Sequence, residues 1–502
     1  MAGMGLACCA GVGAEPRARV WRTWLRLARF ALATLLYLGL SGTAEAQTAA
    51  PSEGRTWYQS PNVGLWYAPP GQQAASPEPG QAHAEEAESA EVPAEATPLA
   101  PPTFQTGPLQ WTPVGKVAST PLYVANHYTL ERPIASIFAR ALAGLEVDSK
   151  WLRFFVNLEA ASEFGPHPVA GRNTLDPALF ELWLDVHYED FYLRVGRQEL
   201  SLGSRRLISP SGAPNIGRYF DGVRAHGKHG RFSYDLFGGY ETILDPARQG
   251  IDAANLLATL YTRFDLGKTH GIEPNVLFRH VTAREPAEDA SIGRPGRNIT
   301  NLGLRAVGDE GGFHYDVEGN FQLGRVGELP HRAFALVGEL DYAFDVKLMP
   351  TLGGGVSWAS GNSPDGTWSA FDTFYPFNLP LYGAVSLFSL SNLIDVHARV
   401  RISPFDPRFS LTFTAFMLGL AESSDTWVDA FGLRVGQVDE NTSPIMGFEY
   451  DLVAQWVPRS YLYFNLAYGI FVPSQAATLF DRFAPSHTVF GTAVVRFGSL
   501  SH

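Results

Sequence analysis

From about residue 111 to residue 497 the chain alternates apolar and polar positions in segment after segment, the period-2 signature of strands whose two faces meet unlike surroundings. In 152–160 one parity holds Leu152, Phe154, Val156, Leu158 and Ala160, and the other Arg153, Phe155, Asn157 and Glu159. Segment 394–403 sets Ile394, Val396, Ala398, Val400 and Ile402 against Asp395, His397, Arg399, Arg401 and Ser403. The same alternation marks 180–188, 314–323, 448–456, 462–470 and 489–497. A soluble sandwich and a transmembrane barrel both satisfy it, the barrel with its apolar face toward lipid and its polar face toward a lumen. The strands run to about 9–11 residues, enough to cross a bilayer at a tilt, where sandwich strands average nearer 6. Aromatics stand at strand ends, as at Trp456, Tyr461, Tyr463 and Phe497, where interfacial girdles sit. The pattern predicts an all-β, transmembrane, antiparallel up-and-down barrel. At roughly 21 residues per strand and connection, the body holds about 18 strands.

Ahead of the alternating body the pattern changes twice. Arg17, Arg19, Arg22, Arg26 and Arg29 precede the apolar run 30–40, and Ala44-Glu45-Ala46 follows with the spacing that signal peptidase accepts. Residues 1–46 are therefore expected to be a secretory signal peptide cleaved after Ala46, the apolar run being too short for a membrane helix, which needs about 20 residues. From 47 to 110 the chain turns to Pro, Ala, Gln and Glu, with seven acids against one Arg. Such a stretch buries too little to offset its ordering entropy and is expected to be a disordered periplasmic tether. An aromatic island at Trp57-Tyr58 and Leu65-Trp66-Tyr67 interrupts it, either a scatter of apolar residues or a short docking motif.

Composition narrows the function classes. The 502 residues carry 38 Lys+Arg against 50 Asp+Glu, a formal charge of −12, which argues against a nucleic-acid partner. Mean hydropathy of −0.05 is far from that of a helical membrane protein. Both cysteines, Cys8 and Cys9, precede the expected cleavage point, so the mature chain has no thiol chemistry or disulfide framework. The thirteen histidines show no ligand spacing, and no Gly-x-Ser-x-Gly, Walker or dinucleotide fingerprint opens a helix. Asn362, Asp365 and Gly366 read as a solvated turn rather than a Ca²⁺ loop. No catalytic, cofactor or metal residue is assigned. The one enzymatic alternative left open is a hydrolase assembled from distant wall residues.

The segment Leu193-Arg194-Val195-Gly196-Arg197-Gln198-Glu199-Leu200, continuing to Arg205-Arg206-Leu207-Ile208-Ser209 and Phe220-Asp221-Gly222-Val223-Arg224, resembles the alginate export family of outer-membrane β-barrels. So do Gly361-Asn362-Ser363 through Phe371-Asp372-Thr373-Phe374-Tyr375-Pro376 to Tyr382-Gly383, then Ser391-Asn392-Leu393-Ile394-Asp395, and the closing Phe448-Glu449-Tyr450-Asp451-Leu452, Trp456 and Phe471-Val472-Pro473. The resemblance covers roughly 112–497 and implies an 18-stranded outer-membrane barrel, with a passive conduit for an anionic exopolysaccharide as the founding member.

One departure from that pattern is electrostatic. The inward arginine candidates are Arg153, Arg194, Arg224, Arg263, Arg305, Arg399, Arg401 and Arg496. The inward acids are Glu159, Glu181, Asp185, Asp235, Asp316, Glu318, Glu339, Asp341, Asp395, Glu449 and Asp451. This is no electropositive pipe, and opposed charges across a lumen would instead set up the transverse field of a diffusion porin. The cluster Arg194, Arg197, Arg205, Arg206, Arg218 and Arg224 is the candidate for a locally basic constriction, and it reads equally well as wall bracing. Arg399 and Arg401, one pleat apart, carry the same two readings. With Asp395, Glu181 and Asp185 these arginines form the pore-lining set. The expected function is a passive channel for polysaccharide or small hydrophilic or anionic solutes, with outer-membrane lipid, the permeant and a periplasmic secretion partner as contacts. The alternative is an outer-membrane scaffold recruiting a periplasmic partner through its acidic tether.

Overall fold

The computed structural model describes residues 103–128, 133–167, 178–210, 218–243, 250–282, 295–363, 366–376, 381–430, 434–435, 443–459, 461–474 and 484–497. The expected signal peptide, the tether up to residue 102 with its aromatic island, and Asp365 lie outside the described residues. Eighteen strands follow one another: β1 (Leu109–Ala125), β2 (Ile134–Asp148), β3 (Leu152–His167), β4 (Ala178–Tyr188), β5 (Phe191–Gln198), β6 (Phe220–His229), β7 (Phe232–Ile243), β8 (Gly250–Asp265) and β9 (His270–Val281). The second half comprises β10 (Arg297–Glu310), β11 (Phe313–Val326), β12 (Leu329–Ala343), β13 (Thr351–Ala359), β14 (Leu393–Ile402), β15 (Phe409–Gly419), β16 (Ile445–Arg459), β17 (Leu462–Pro473) and β18 (Ser486–Phe497). Each pairs antiparallel with the next. The last returns to the first, Phe497 opposite Gly115 and His487 opposite Ala125, so the barrel has no open edge. Among the described residues no helix is long and apolar enough to cross a membrane; closed strands satisfy the backbone in lipid instead.

The two parities separate as the alternation requires. Leu302, Leu304, Val317, Leu336 (61% exposed), Val356 and Val396 face outward, while Asn301, Arg305, Glu318, Asn320, Asp395 (0% exposed) and Thr414 are buried on the inner face. An outward apolar face this extensive has no counterpart on a soluble monomer and matches the lipid-facing band of an outer-membrane barrel. The expectation for the strand-end aromatics needs one correction. Trp456 and Phe497 are exposed at the perimeter, but Tyr463 falls on the inner parity, where its hydroxyl accepts from the Gln455 amide at 3.4 Å.

One rim carries mostly tight turns, and the longest connections lie on the other. Gly311-Gly312 joins β10 to β11 with φ of +60° and +83°, the left-handed pair that a two-residue hairpin needs and that a side chain resists. On the opposite rim residues 199–219, 360–392 and 420–444 connect β5 to β6, β13 to β14 and β15 to β16. Short turns face the periplasm and long loops the outside in such barrels, so both chain ends of the barrel lie at the periplasmic rim. Described strands occur ahead of the expected boundary at 111. Strand β1 starts at Leu109, and Phe104–Thr106 folds back to pair with 109–111.

Candidate channel lumen

The inner wall is a series of local ion pairs between neighbouring strands. Arg194 Nε and Nη2 donate to the two carboxylate oxygens of Asp185 at 2.7 and 2.8 Å, and its guanidinium lies 3.5 Å from the centre of the Trp183 ring. Arg224 bonds Asp235 at 2.5 Å. Arg305 joins Asp316 and Glu273, both at 2.7 Å. Arg399 reaches Asp341 at 2.5 Å and Glu339 at 3.2 Å. A fork of guanidinium donors on a carboxylate is the strongest of these arrangements, and in a lumen lined by narrow side chains it leaves each pair nearly neutral from a distance. Between the pairs the wall offers hydroxyls and amides, among them Ser410, Thr412, Thr414, Gln455, Asn465 and Thr492.

Three segments from the long-loop rim fold inward and close on one another. Leu202, Leu207 and Ile208 join a buried cluster with Phe220, Phe237, Leu257, Leu277 and Ile299 of the inner wall and with Phe371, Tyr375, Leu387 and Phe388 of the second loop. The Ser204 hydroxyl donates to Glu318 on β11, and Arg206 Nη2 donates to Glu339 on β12 at 2.9 Å, so the loop after β5 reaches the far part of the wall. The second loop is anchored at Asp372, which accepts from Arg279 at 3.1 Å, Arg297 at 2.6 Å and the Phe374 amide at 2.8 Å. Burial opposes ionisation of Asp372, but Arg279 and Arg297 outweigh it and hold the carboxyl well below the usual carboxylate range. Further on, Ala384 and Val385 donate their amides to Asp451 at 2.8 Å and Glu449 at 2.7 Å. The third segment joins where Trp427 Nε1 donates to Leu387 O at 2.8 Å and Asn362 N to Asp425 at 2.6 Å. The Tyr375 amide donates to Leu207 O at 2.8 Å, tying the first two loops together.

These contacts settle where the anticipated residues stand. Arg194, Arg224, Arg399, Asp185, Asp395 and Glu181 are on the inner parity, as is Arg401, opposite Thr351 and Thr412 near the periplasmic end. Arg197 is not on the inner parity: it follows Leu193 and Val195 on the outward face, opposite Leu182, and is part-buried beside Asp221. Arg205, Arg206 and Arg218 lie in the loop between β5 and β6, with Arg218 donating to Ser209 O at 3.1 Å and standing 3.9 Å from Glu241. Glu181 accepts from Asn157 at 3.4 Å. Asp395 is taken by His397 at 3.0 Å, which also meets Glu339 at 3.1 Å, so Arg399 turns to Asp341 instead. Inward charges pair along the wall, because cross-strand neighbours approach far more closely than residues facing each other across a lumen. Sequence reasoning missed Arg140 with Glu159 and Tyr219, and the anchors Arg279, Arg297 and Gln322. Arg140, Arg279 and Arg297 continue the inner parity of their strands, a signal present in the pattern; their partners are far away in the chain and left none.

The comparisons with known proteins agree with this geometry. A family model described as "Alginate export" matches residues 134–478. No curated protein matches the chain. Among solved structures the barrel is similar to OccAB1 of Acinetobacter baumannii, at 10% identity and TM-score 0.53, covering 80% of this chain and 99% of that one. It is also similar to OpdK of Pseudomonas aeruginosa solved with vanillate, at 7% identity and TM-score 0.52, covering 77% and 98%. OccD3 (OpdP) of the same organism gives 11% identity and TM-score 0.52, covering 82% and 97%. At these identities the structural likeness is one of fold.

Proposed function

Because the chain belongs to the alginate export family, and is thereby a passive channel of the outer membrane for small solutes or polysaccharide, we propose that its lumen passes hydrophilic solutes with little discrimination by charge sign. The observation that carries this reading is the pairing of Arg194, Arg224, Arg305 and Arg399 with carboxylates of adjacent strands. A neutralised pair contributes a short-range dipole rather than a field that reaches across the pore. Family and neighbours are channel proteins, and on our reading the wall carries out no chemistry. The pore-lining set is Arg194, Arg205, Arg206, Arg218, Arg224, Arg399, Arg401, Asp395, Glu181 and Asp185, Arg197 being left out by its outward parity; of these the loop arginines narrow the path and the strand residues brace it. The acidic Pro/Ala/Glu-rich segment read at 47–110, short of the strands that begin at Phe104, serves as a tether available to a periplasmic secretion partner. Planar-bilayer recording in a KCl gradient tests the reading. A reversal potential near zero, with permeation of neutral sugars in liposome swelling, is expected. Strong anion selectivity would refute the charge-balanced lumen and return a dedicated polyanion exporter to the lead.

A further inference from the structure

The outer wall carries a basic patch that neither the lumen nor its loops use. Arg325 on β11 and Arg332 on β12 are exposed on the outward parity, which Leu323 and Phe334 share. Arg325 is opposite Asn298 and Pro330, and Arg332 is opposite Leu323. The two are therefore diagonal neighbours across one hairpin, near enough for two long side chains to converge on one group. They stand at the long-loop rim, and the band next to them is apolar: Leu302, Leu323, Phe334 and Leu336 are exposed, and the Phe321 and Phe334 rings stack with centres 4.5 Å apart. The outward positions of 276–280, 298–304, 319–325 and 330–338 hold no acid. Arg197, the outward arginine of β5, is neutralised by Asp221 of the next strand. Arg332 has no such partner: its side chain makes no hydrogen bond or ion pair with any of the described residues, while its backbone is held by the bond from Arg332 N to Trp368 O at 3.1 Å. Arg325 meets Glu328 of the turn, donating to its carbonyl oxygen at 2.8 Å and standing 3.8 Å from its carboxylate, with 61% and 101% of the two side chains exposed. Such a surface pair is worth little. Asn298 adds a neutral donor, since its Oδ1 is taken by His280 Nδ1 at 2.5 Å and its NH₂ is left over. A guanidinium bordering a lipid-facing band lies where headgroups begin, and long basic side chains reach into that layer. Arginine matches phosphate with several fixed donors at once.

We propose that Arg325 and Arg332, with the Asn298 amide, form a site on the outer wall for a lipid phosphate, carried by a phosphorylated glycolipid headgroup of the outer leaflet. Long loops face the outside in such barrels, which sets the site at the level of that leaflet's headgroups. Charge complementarity selects the phosphate, and the apolar band beside it seats the acyl chains. The Glu328 carboxylate at the edge of the patch opposes a bound phosphate. The site is separate from the lumen, so it and the channel reading stand or fall independently.

The full-length protein in dodecyl maltoside micelles, titrated with bis-phosphorylated lipid A and followed by native mass spectrometry, tests the site. Lipid A should bind the wild type, and lipid A stripped of its phosphates should bind about tenfold more weakly or worse. Arg325→Gln and Arg332→Gln should each raise the half-saturating concentration about fivefold, and together about thirtyfold. Arg332→Lys, which keeps the charge but not the fork, should fall between wild type and Arg332→Gln, and Glu328→Gln should tighten binding. Arg231→Gln, in an exposed turn of the opposite rim, should leave binding unchanged. Heat-modifiability gels and KCl conductance are expected at wild-type values throughout, because these side chains are exposed and lie outside the lumen. Binding by the double variant at wild-type strength, equal binding of the dephosphorylated lipid, or a wild type that retains no lipid A overturns the site. Displacement of lipid A by an equimolar concentration of inorganic phosphate would assign the arginines to the free ion and overturn the lipid as ligand.

Discussion

Asp372 should be the residue on which the second inward loop depends. Its carboxylate takes two guanidiniums and an amide, and Gln322 grips its backbone on both sides, accepting from Asp372 N at 2.9 Å and donating to Asp372 O at 2.7 Å. Asp372→Asn keeps the shape and removes the charge. The amide turns one acceptor oxygen into an NH₂ that cannot accept from a guanidinium, so the Arg297 bond is lost, and a hydrogen bond to a charged group is worth about 1.5–3 kcal/mol. Arg297, at 30% side-chain exposure, recovers part of that from water, leaving about 2 kcal/mol, or about 30-fold in the ratio of docked to released loop. Hydrogen exchange in detergent reads that ratio directly. Protection of the Phe374 and Tyr375 amides should fall by about that factor while strand amides of β10 and β11 keep theirs, and single-channel records should gain flicker toward a larger open level. Unchanged protection at 374–375, or an equal loss through the whole barrel, would refute the view that Asp372 holds the loop and nothing else.

Arg194→Ala should cost about 3–5 kcal/mol in urea unfolding, because it strands Asp185 in the wall, and it should shift reversal potential toward cations; Arg194→Ala with Asp185→Ala should recover much of the stability. Gly383→Ala should speed exchange of the Ala384 and Val385 amides, since φ there is +95° and a Cβ would overlap the Glu449 carboxylate, whereas Gly338→Ala, with only Val356 nearby at 3.8 Å, should be tolerated. Val396→Arg on the lipid face should destabilise by about 2–4 kcal/mol by the same urea measurement, and Val396→Ile by little. Deleting residues 47–102 behind the signal should leave a heat-modifiable barrel; loss of the folded band would make the tether structural.

What the sequence by itself determined was the barrel and its two faces. A period of two leaves no freedom once one face must be apolar: Val396 and Val400 outward puts Asp395, His397 and Arg399 inward, and a one-residue slip would exchange them all. Strand number followed from length, membrane location from the apolar parity, and the family from the motifs around Arg194 and Phe220. The partners were another matter. Alternation says that Arg399 points inward but not that His397 occupies Asp395 and sends Arg399 to Asp341, since register and competition among neighbours are properties of the assembled sheet. Nor does any local pattern carry Ser204 to Glu318 or Asp372 to Arg279, contacts spanning 114 and 93 residues. Loops have no periodicity to read, and their paths are fixed by which buried polar groups on the far wall need a partner. Closure of the barrel brought those groups within reach of the inward loops.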